Sequence, residues 1–182
     1  MRDDADNGAD TDALKTLYTG RYLQLQCRDD WEFVSRHHPV VAMIAWTDQD
    51  ELVLVEQYRK PIQQRTIEIP AGLVGDHADA ASESLAVAAA RELEEETGYR
   101  ATQMTELMRV PTSAGMSNEE VVFFMAQGLQ KVSAGGGDDT EDIIVHVIPK
   151  GDINAWLTAK YEAGLAIDPK IYTALYWSLS AR

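Results

Sequence analysis

Residues 91–98, Arg91-Glu92-Leu93-Glu94-Glu95-Glu96-Thr97-Gly98, place four glutamates in an eight-residue run. The residues before them, "DHADAASESLAVAAA" from Asp76 to Ala90, are alanine-rich, with Asp79 or Ser82 as candidate N-caps and Gly98 suited to the C′ position. At about 100° per residue, Glu92, Glu95 and Glu96 fall within roughly 100° of one another. Ala86, Ala89, Ala90 and Leu93 form the adjoining apolar edge, and Glu94 points away. Three carboxylates then repel at the end of a helix where the macrodipole already disfavours negative charge. A solvated acidic face, supported by an Arg91–Glu95 i,i+4 pair, is one reading. The other is a set of oxygen ligands for a hard cation, which explains why the carboxylates border the apolar edge instead of opposing it.

The rest of the chain bounds the choice. Its 182 residues suffice for one domain with a small additional sheet. The net charge of −14 argues against a nucleic-acid backbone as partner, since no basic face exists to neutralise phosphates. An anionic small substrate would need a local positive charge, such as a divalent cation. Cys27 is the one cysteine, which excludes an internal disulfide and fits a reducing, cytoplasmic setting. No apolar run reaches membrane-spanning length. The acidic residues 1–12 are expected to be disordered.

Strands are predicted at Gly20–Arg28, Trp31–Arg36, Pro39–Trp46, Leu52–Arg59 and Thr66–Leu73, the last broken by Pro70 and Gly72. Further strands are predicted at Gln103–Val110, Glu120–Gln127 and Asp142–Pro149. Two helices follow, the first capped by Asp152 and ending near Gly164, the second opening at Asp168-Pro169. The order strands, helix, strands, helices predicts an α+β sandwich. Residues 13–38, with two short strands, form a separable β-subdomain whose edge could pair with a second chain. Ser133–Glu141, with Gly135–Gly137, is expected to be a flexible acidic loop.

Arg91-Glu92-Leu93-X-Glu95-Glu96-X-Gly98, with Glu83 eight residues upstream, closely resembles the second half of the Nudix box. One departure stands out. Ten residues separate Gly72 from Glu83, five more than the family spacing, and His77 takes the strict glycine position. An insertion before the helix accounts for this, and it makes Asp76, His77 and Asp79 candidate ligand contacts. "VEQYRKP" (Val55–Pro61), "IEIPAGL" (Ile67–Leu73), "PTSAGMSNE" (Pro111–Glu119) and "EDIIVHVI" (Glu141–Ile148) resemble ADP-ribose pyrophosphatases and related nucleoside diphosphate sugar hydrolases.

The resemblance implies a Nudix α/β/α sandwich with a mixed central sheet over residues 39–182. It also implies a homodimer that exchanges N-terminal strands. The implied reaction is hydrolysis of the diphosphate bond of ADP-ribose or a similar nucleotide sugar, with two or three Mg²⁺ (or Mn²⁺) ions. Glu92 and Glu96 become the principal metal ligands, with Glu95, the Ala71 carbonyl and Glu141. Glu141 is the favoured base, Asp139 the second candidate, and Glu95 belongs to the same catalytic set. Arg59 and Arg36 are implied to contact the diphosphate and Trp31 to stack on the base. Glu68, Ser117 and Glu119, with the turn residues Gly72 and Leu73, are placed along the rest of the substrate. His37, His38 and His146 lack metal-site spacing and read as structural or solvated. Two other readings share the fold: a Nudix enzyme acting on oxidised nucleoside triphosphates or dinucleoside polyphosphates, and a Nudix domain that binds nucleotide without cleaving it.

Overall fold

The computed structural model describes residues 14–36, 38–75, 83–137 and 142–180, the side chains of 178–180 excepted. The predicted disorder of 1–12 lies outside this set. So do His37, Asp76, His77, Asp79, Ser82, Asp139 and Glu141.

The N-terminal segment has three strands, not two: β1 (Lys15–Thr19), β2 (Gln24–Arg28) and β3 (Trp31–Ser35), in antiparallel order β1-β2-β3. The strand predicted over Gly20–Arg28 starts later, at Gln24, and β1 before it was not predicted; the Gly20 N–H donates to the Leu23 carbonyl (2.8 Å), which turns the chain between the two. Asp29 and Asp30, with φ of 48° and 63°, make the two-residue turn between β2 and β3. Two consecutive positive φ values give the turn the twist that such hairpins need.

The main body follows as β4 (Val40–Ala45), β5 (Glu51–Arg59), β6 (Gln64–Glu68), β7 (Ala71–Leu73), α1 (Leu85–Thr97), β8 (Tyr99–Arg100), β9 (Gln103–Pro111), β10 (Glu120–Gln127), β11 (Gln130–Lys131), β12 (Ile144–Pro149), α2 (Ile153–Glu162), β13 (Ala166–Ile167) and α3 (Lys170–Ser180). Its central layer holds two four-stranded mixed sheets, β7-β4-β10-β9 and β12-β5-β6-β13. β4 pairs in parallel with β10, and β6 with β13. The single strand expected over Thr66–Leu73 is two strands in different sheets: β6 pairs with β5 and β7 with β4. Pro70 sits between them, lacks an N–H for either ladder, and marks the crossing.

Strands β4, β5 and β10 are buried on both faces. Val41, Met43, Ala45, Val53, Val122 and Phe124 pack with Ala88, Ala89 and Leu93 of α1. The alternate residues Ala42, Ile44, Leu52, Leu54, Val121 and Phe123 pack with Ile153 and Leu157 of α2 and with Ile171 and Ala174 of α3. Side chains of period two thus build two cores on opposite faces of one layer. This is the α/β/α sandwich expected from the sequence.

The N-cap of α1 is Ser84, whose Oγ accepts from the Val87 N–H (3.3 Å). Gly98 closes the helix at φ 70°, as predicted. Asp152 occupies the N-cap position of α2 but makes no side-chain capping bond. Asp168 does cap α3, its Oδ1 accepting from the Lys170 N–H (2.7 Å). The N-terminal sheet docks on the 113–118 loop of the same chain. The Val34 N–H donates to the Met116 carbonyl (2.8 Å), and Asn118 donates from its N–H to the Val34 carbonyl (3.2 Å).

Candidate active site

Strand β7 is the edge of its sheet, and α1 crosses it. In the β4–β7 ladder the Met43 N–H donates to the Pro70 carbonyl (2.8 Å) and the Val74 N–H to the Pro39 carbonyl (3.1 Å). That register leaves the N–H and C=O of Ala71 directed away from β4. The outward N–H of Ala71 donates to Glu96 Oε2 (3.0 Å), a carboxylate on a residue only 4% exposed. At the neighbouring position, a Cβ on Gly72 would overlap the carboxyl of Glu92, so only glycine leaves that side chain where it stands. Two acidic side chains of α1 therefore converge on two consecutive residues of β7. This is the close approach that the glutamate spacing and the "PAGL" turn imply.

Arg91 supplies the local cation. Its guanidinium contacts Glu95 (2.8 Å), Glu92 (3.0 Å) and Glu83 (3.5 Å). The predicted i,i+4 pair with Glu95 is thus present, within a wider cluster. Glu95 is half exposed, with 50% of its side chain accessible. Glu94 points elsewhere and forms a two-bond pair with Arg100 (2.8 and 2.8 Å). Among the described residues no three His, Cys, Asp or Glu side chains already stand as a metal cluster. The donor set is nevertheless of the right kind. Glu92, Glu95 and Glu96 offer hard oxygen, and the outward Ala71 carbonyl adds another.

The Arg59 guanidinium is bidentate to Glu68 (2.7 and 2.6 Å). Glu68 is 2% exposed, so the pair is anchored from the protein side. The Glu68 bond holds Arg59 above its ordinary pKa, against the effect of burial, and Glu96 contributes through space. Arg59 thereby lies within the field of the α1 carboxylates, and Glu68 is its orienting partner. Arg36 pairs with Glu119 (2.7 Å). Ser117 Oγ accepts from the Glu119 N–H (3.3 Å), and the Ser117 backbone bridges Val34. Trp31 is 65% exposed and donates from Nε1 to the Gly115 carbonyl (3.3 Å). Trp31, Arg36, Ser117 and Glu119 thus share one surface, where β3 meets the 113–119 loop. Leu73 stays half-buried at the end of β7.

Of the loop expected over Ser133–Glu141, the part up to Gly137 is bonded to α1, and 138–141 lie outside the described residues. Gly135, Gly136 and Gly137 have φ of 73°, 116° and 76°. The Gly136 and Gly137 N–H groups donate to the Glu96 and Glu95 carbonyls (2.8 and 3.1 Å). The glycines cap the C-terminus of α1, satisfying carbonyls that a helix end otherwise leaves unpaired. Lys131 completes this cap with Nζ on the Thr97 carbonyl (2.7 Å), 4.6 Å from the Tyr99 ring centroid. Burial pulls its ammonium below the ordinary lysine pKa. A cation here offsets both the helix dipole and the glutamates. Sequence reasoning missed Lys131, because only the β8–β11 pairing brings it to the helix.

It also missed the group around Glu56. Burial pushes the Glu56 carboxyl up, but hydrogen bonds from Lys160, His146 and Arg65 prevail and hold it at about 2. His146, read from sequence as structural or solvated, is a partner of that carboxylate (3.0 Å).

Residues 36–162 match the NUDIX domain family model. Over 137 residues the chain is 38% identical to the methanol dehydrogenase activator of Bacillus methanolicus, covering 70% of this chain and 71% of that protein. Over 127 residues it is 33% identical to the ADP-ribose pyrophosphatase of Bacillus subtilis (strain 168), covering 65% and 66%. Over 137 residues it is 34% identical to the ADP-ribose pyrophosphatase of Mycobacterium tuberculosis, covering 70% and 64%. The matched region thus spans about two thirds of the length of these curated relatives. The fold matches a crystal structure of an ADP compounds hydrolase with TM-score 0.71 and 21% identity, covering 92% of this chain and 90% of that one. With a family match over residues 36–162 and the box glutamates of α1 gathered against β7, the chain belongs to the Nudix hydrolase family.

Proposed function

We propose that this Nudix hydrolase cleaves the diphosphate bond of ADP-ribose or a related nucleoside diphosphate sugar, giving a nucleoside monophosphate and a sugar phosphate. The observation that carries this reading is the convergence of Glu96 and Glu92 on Ala71 and Gly72, with Arg59 close enough to feel Glu96. The names of the Bacillus subtilis and Mycobacterium tuberculosis relatives support the substrate class.

Glu92, Glu96 and the Ala71 carbonyl would hold Mg²⁺ or Mn²⁺, with Glu95 available to a second or third ion. Such cations polarise phosphoryl oxygens and lower the pKa of the attacking water. The chain's own groups do the rest. Arg59, fixed by Glu68, presents a planar fork to the diphosphate. Glu141, or Asp139 in its place, takes the proton from the water. Trp31 offers an exposed face for base stacking, and Arg36, Ser117 and Glu119 line the same surface.

The N-terminal sheet exposes Leu17, Tyr18, Tyr22 and Trp31. Apolar exposure of this kind supports a homodimer that exchanges N-terminal strands. The single cysteine fits a cytoplasmic setting. Among the described residues no helix is long and apolar enough to cross a membrane.

The test is a hydrolysis screen over nucleotide sugars with Mg²⁺ and with Mn²⁺, comparing kcat/KM. Cation-dependent turnover highest on ADP-ribose or another nucleotide sugar is expected. Preferred turnover of nucleoside triphosphates or dinucleoside polyphosphates, or binding without turnover, would overturn the reading. Deleting residues 1–38 is expected to give monomers with weaker substrate binding, and a truncated dimer with wild-type KM would refute the exchange.

A further inference from the structure

Glu95 and Glu96 stand in the last turn of α1, the part of a helix that frays. The final four carbonyls of a helix have no partner within it. Here each has one. The Glu94 carbonyl accepts from the Gly98 N–H (2.8 Å), that of Glu95 from Gly137 (3.1 Å) and that of Glu96 from Gly136 (2.8 Å). The Thr97 carbonyl accepts from Lys131 Nζ (2.7 Å). The Gly98 carbonyl, one residue beyond, accepts from the Val132 and Ser133 N–H groups (2.8 and 3.3 Å). The chain from Lys131 to Gly137 is thus laid across the helix end, bonded carbonyl by carbonyl.

The two backbones are in direct contact. A Cβ on Gly135 would overlap backbone atoms of Thr97 and Glu96, and a Cβ on Gly98 would overlap the Ser133 carbonyl. A shift of the 133–137 backbone is therefore passed straight to the last turn of α1. It reaches Glu96, whose Oε2 accepts from the Ala71 N–H of β7 (3.0 Å). Most of these ties are made by backbone N–H groups; Lys131 makes its own with a side chain. Lys131 pairs with Tyr99 across β11 and β8, and its Nζ also reaches the Ala134 carbonyl (3.3 Å). One ammonium thus joins the last residue of the helix to the start of the glycine run. Its charge stands at the negative end of the helix macrodipole.

We propose that Lys131 is a positioning residue for the cation site: by pinning residues 131–137 to the end of α1, it holds Glu96 in register with Ala71. It acts through the backbone of the helix and not on the substrate. Residues that orient metal ligands from the next layer out are worth about 10–100-fold in metal affinity or activity. The proposal rests on the reading that the α1 glutamates hold Mg²⁺ or Mn²⁺.

Lys131 is an exposed residue, so Lys131→Met removes the charge and both bonds without opening a cavity in the core. Mn²⁺ binding to the substrate-free enzyme, followed by electron paramagnetic resonance, is expected to weaken about tenfold. The half-saturating Mg²⁺ concentration for hydrolysis is expected to rise to the same degree, with KM for the nucleotide sugar at saturating Mg²⁺ unchanged. Ile153→Val lowers the melting temperature from the core on the other face of the sheets, and it is expected to keep wild-type Mn²⁺ affinity. Equal weakening in Ile153→Val and Lys131→Met would trace the effect to global stability and overturn the positioning role. Wild-type Mn²⁺ affinity in Lys131→Met, beside weakened binding in Glu96→Gln, would overturn it too and leave the cation-site reading standing. Wild-type affinity in Glu96→Gln would sink that reading, and this proposal with it.

Discussion

Replacing Gly72 by alanine separates the stability of the fold from the competence of the site. Gly72 lies within β7, and its φ is not in the left-handed region, so the backbone accepts an L residue. An alanine restricts the unfolded chain more than glycine does, and at a compatible site this stabilises by about 0.4–1 kcal/mol. The obstacle is local. The new methyl would overlap Cγ, Cδ and Oε2 of Glu92, the far end of a flexible side chain. Carbon atoms rest at about 3.5–4.0 Å, so the carboxyl must retreat by more than about 1 Å. Swinging aside costs the fold only a rotamer, about 0.5–1.5 kcal/mol if it ends off a staggered well. The two terms nearly cancel, and the melting temperature should stay close to wild type. Catalysis has no such compensation. A displacement of this size at a group that must hold a cation in register is expected to lower kcat about 10²-fold. The half-saturating Mg²⁺ concentration should rise as well. The assay is nucleoside monophosphate release from ADP-ribose across a Mg²⁺ titration, beside thermal unfolding of the same sample. Wild-type turnover at the wild-type Mg²⁺ midpoint would refute the placement of Glu92 as a ligand; a large drop in melting temperature would refute the claim that the strain stays in the side chain.

Glu96→Gln removes the carboxylate that accepts from Ala71 while keeping an amide able to accept the same bond. Hydrolysis should fall by about 10²-fold or more with the fold retained, as measured by turnover and circular dichroism. Glu94→Gln loses an exposed, solvent-screened pair with Arg100, and kcat at saturating Mg²⁺ should not change. Glu56 has a folded-state pKa of about 2, below its ordinary value of 4.5. A depressed carboxylate stabilises the fold above the unfolded value and loses that contribution as pH falls through the folded one. Denaturation midpoints should therefore drop between about pH 4.5 and about pH 2. In Glu56→Gln this acid limb should be shallower, and an unchanged limb would contradict the assignment.

Local rules carried much of the structure. Gly98 ends α1, Asp168 caps α3, and the alternating cores of β4 and β10 follow from periods visible in the chain. The spacing of Glu92, Glu95 and Glu96 beside an apolar edge offered two readings, a solvated acidic face or oxygen ligands for a cation, and the family resemblance favoured the second. Local rules failed where a residue's partner is distant. Ser84, not Asp79 or Ser82, is the N-cap, and several serines and aspartates near a helix start compete on nearly equal terms. The turn at Gly20 hid in an alternating run, because alternation persists through a tight hairpin.

Sequence by itself determined the kind of chemistry: which helix carries the carboxylates and which family the chain joins. Only the tertiary structure decided how those charges are tolerated. Lys131 reaches the end of α1 through the β8–β11 pairing, and Arg65 reaches Asp142 across 77 positions of chain. Pro70 sends β7 into a different sheet from β6, which puts Ala71 against Glu96. Helix and strand periods are local properties of the backbone. Electrostatic compensation acts through space, so its partners follow sheet register, which no short window of sequence specifies.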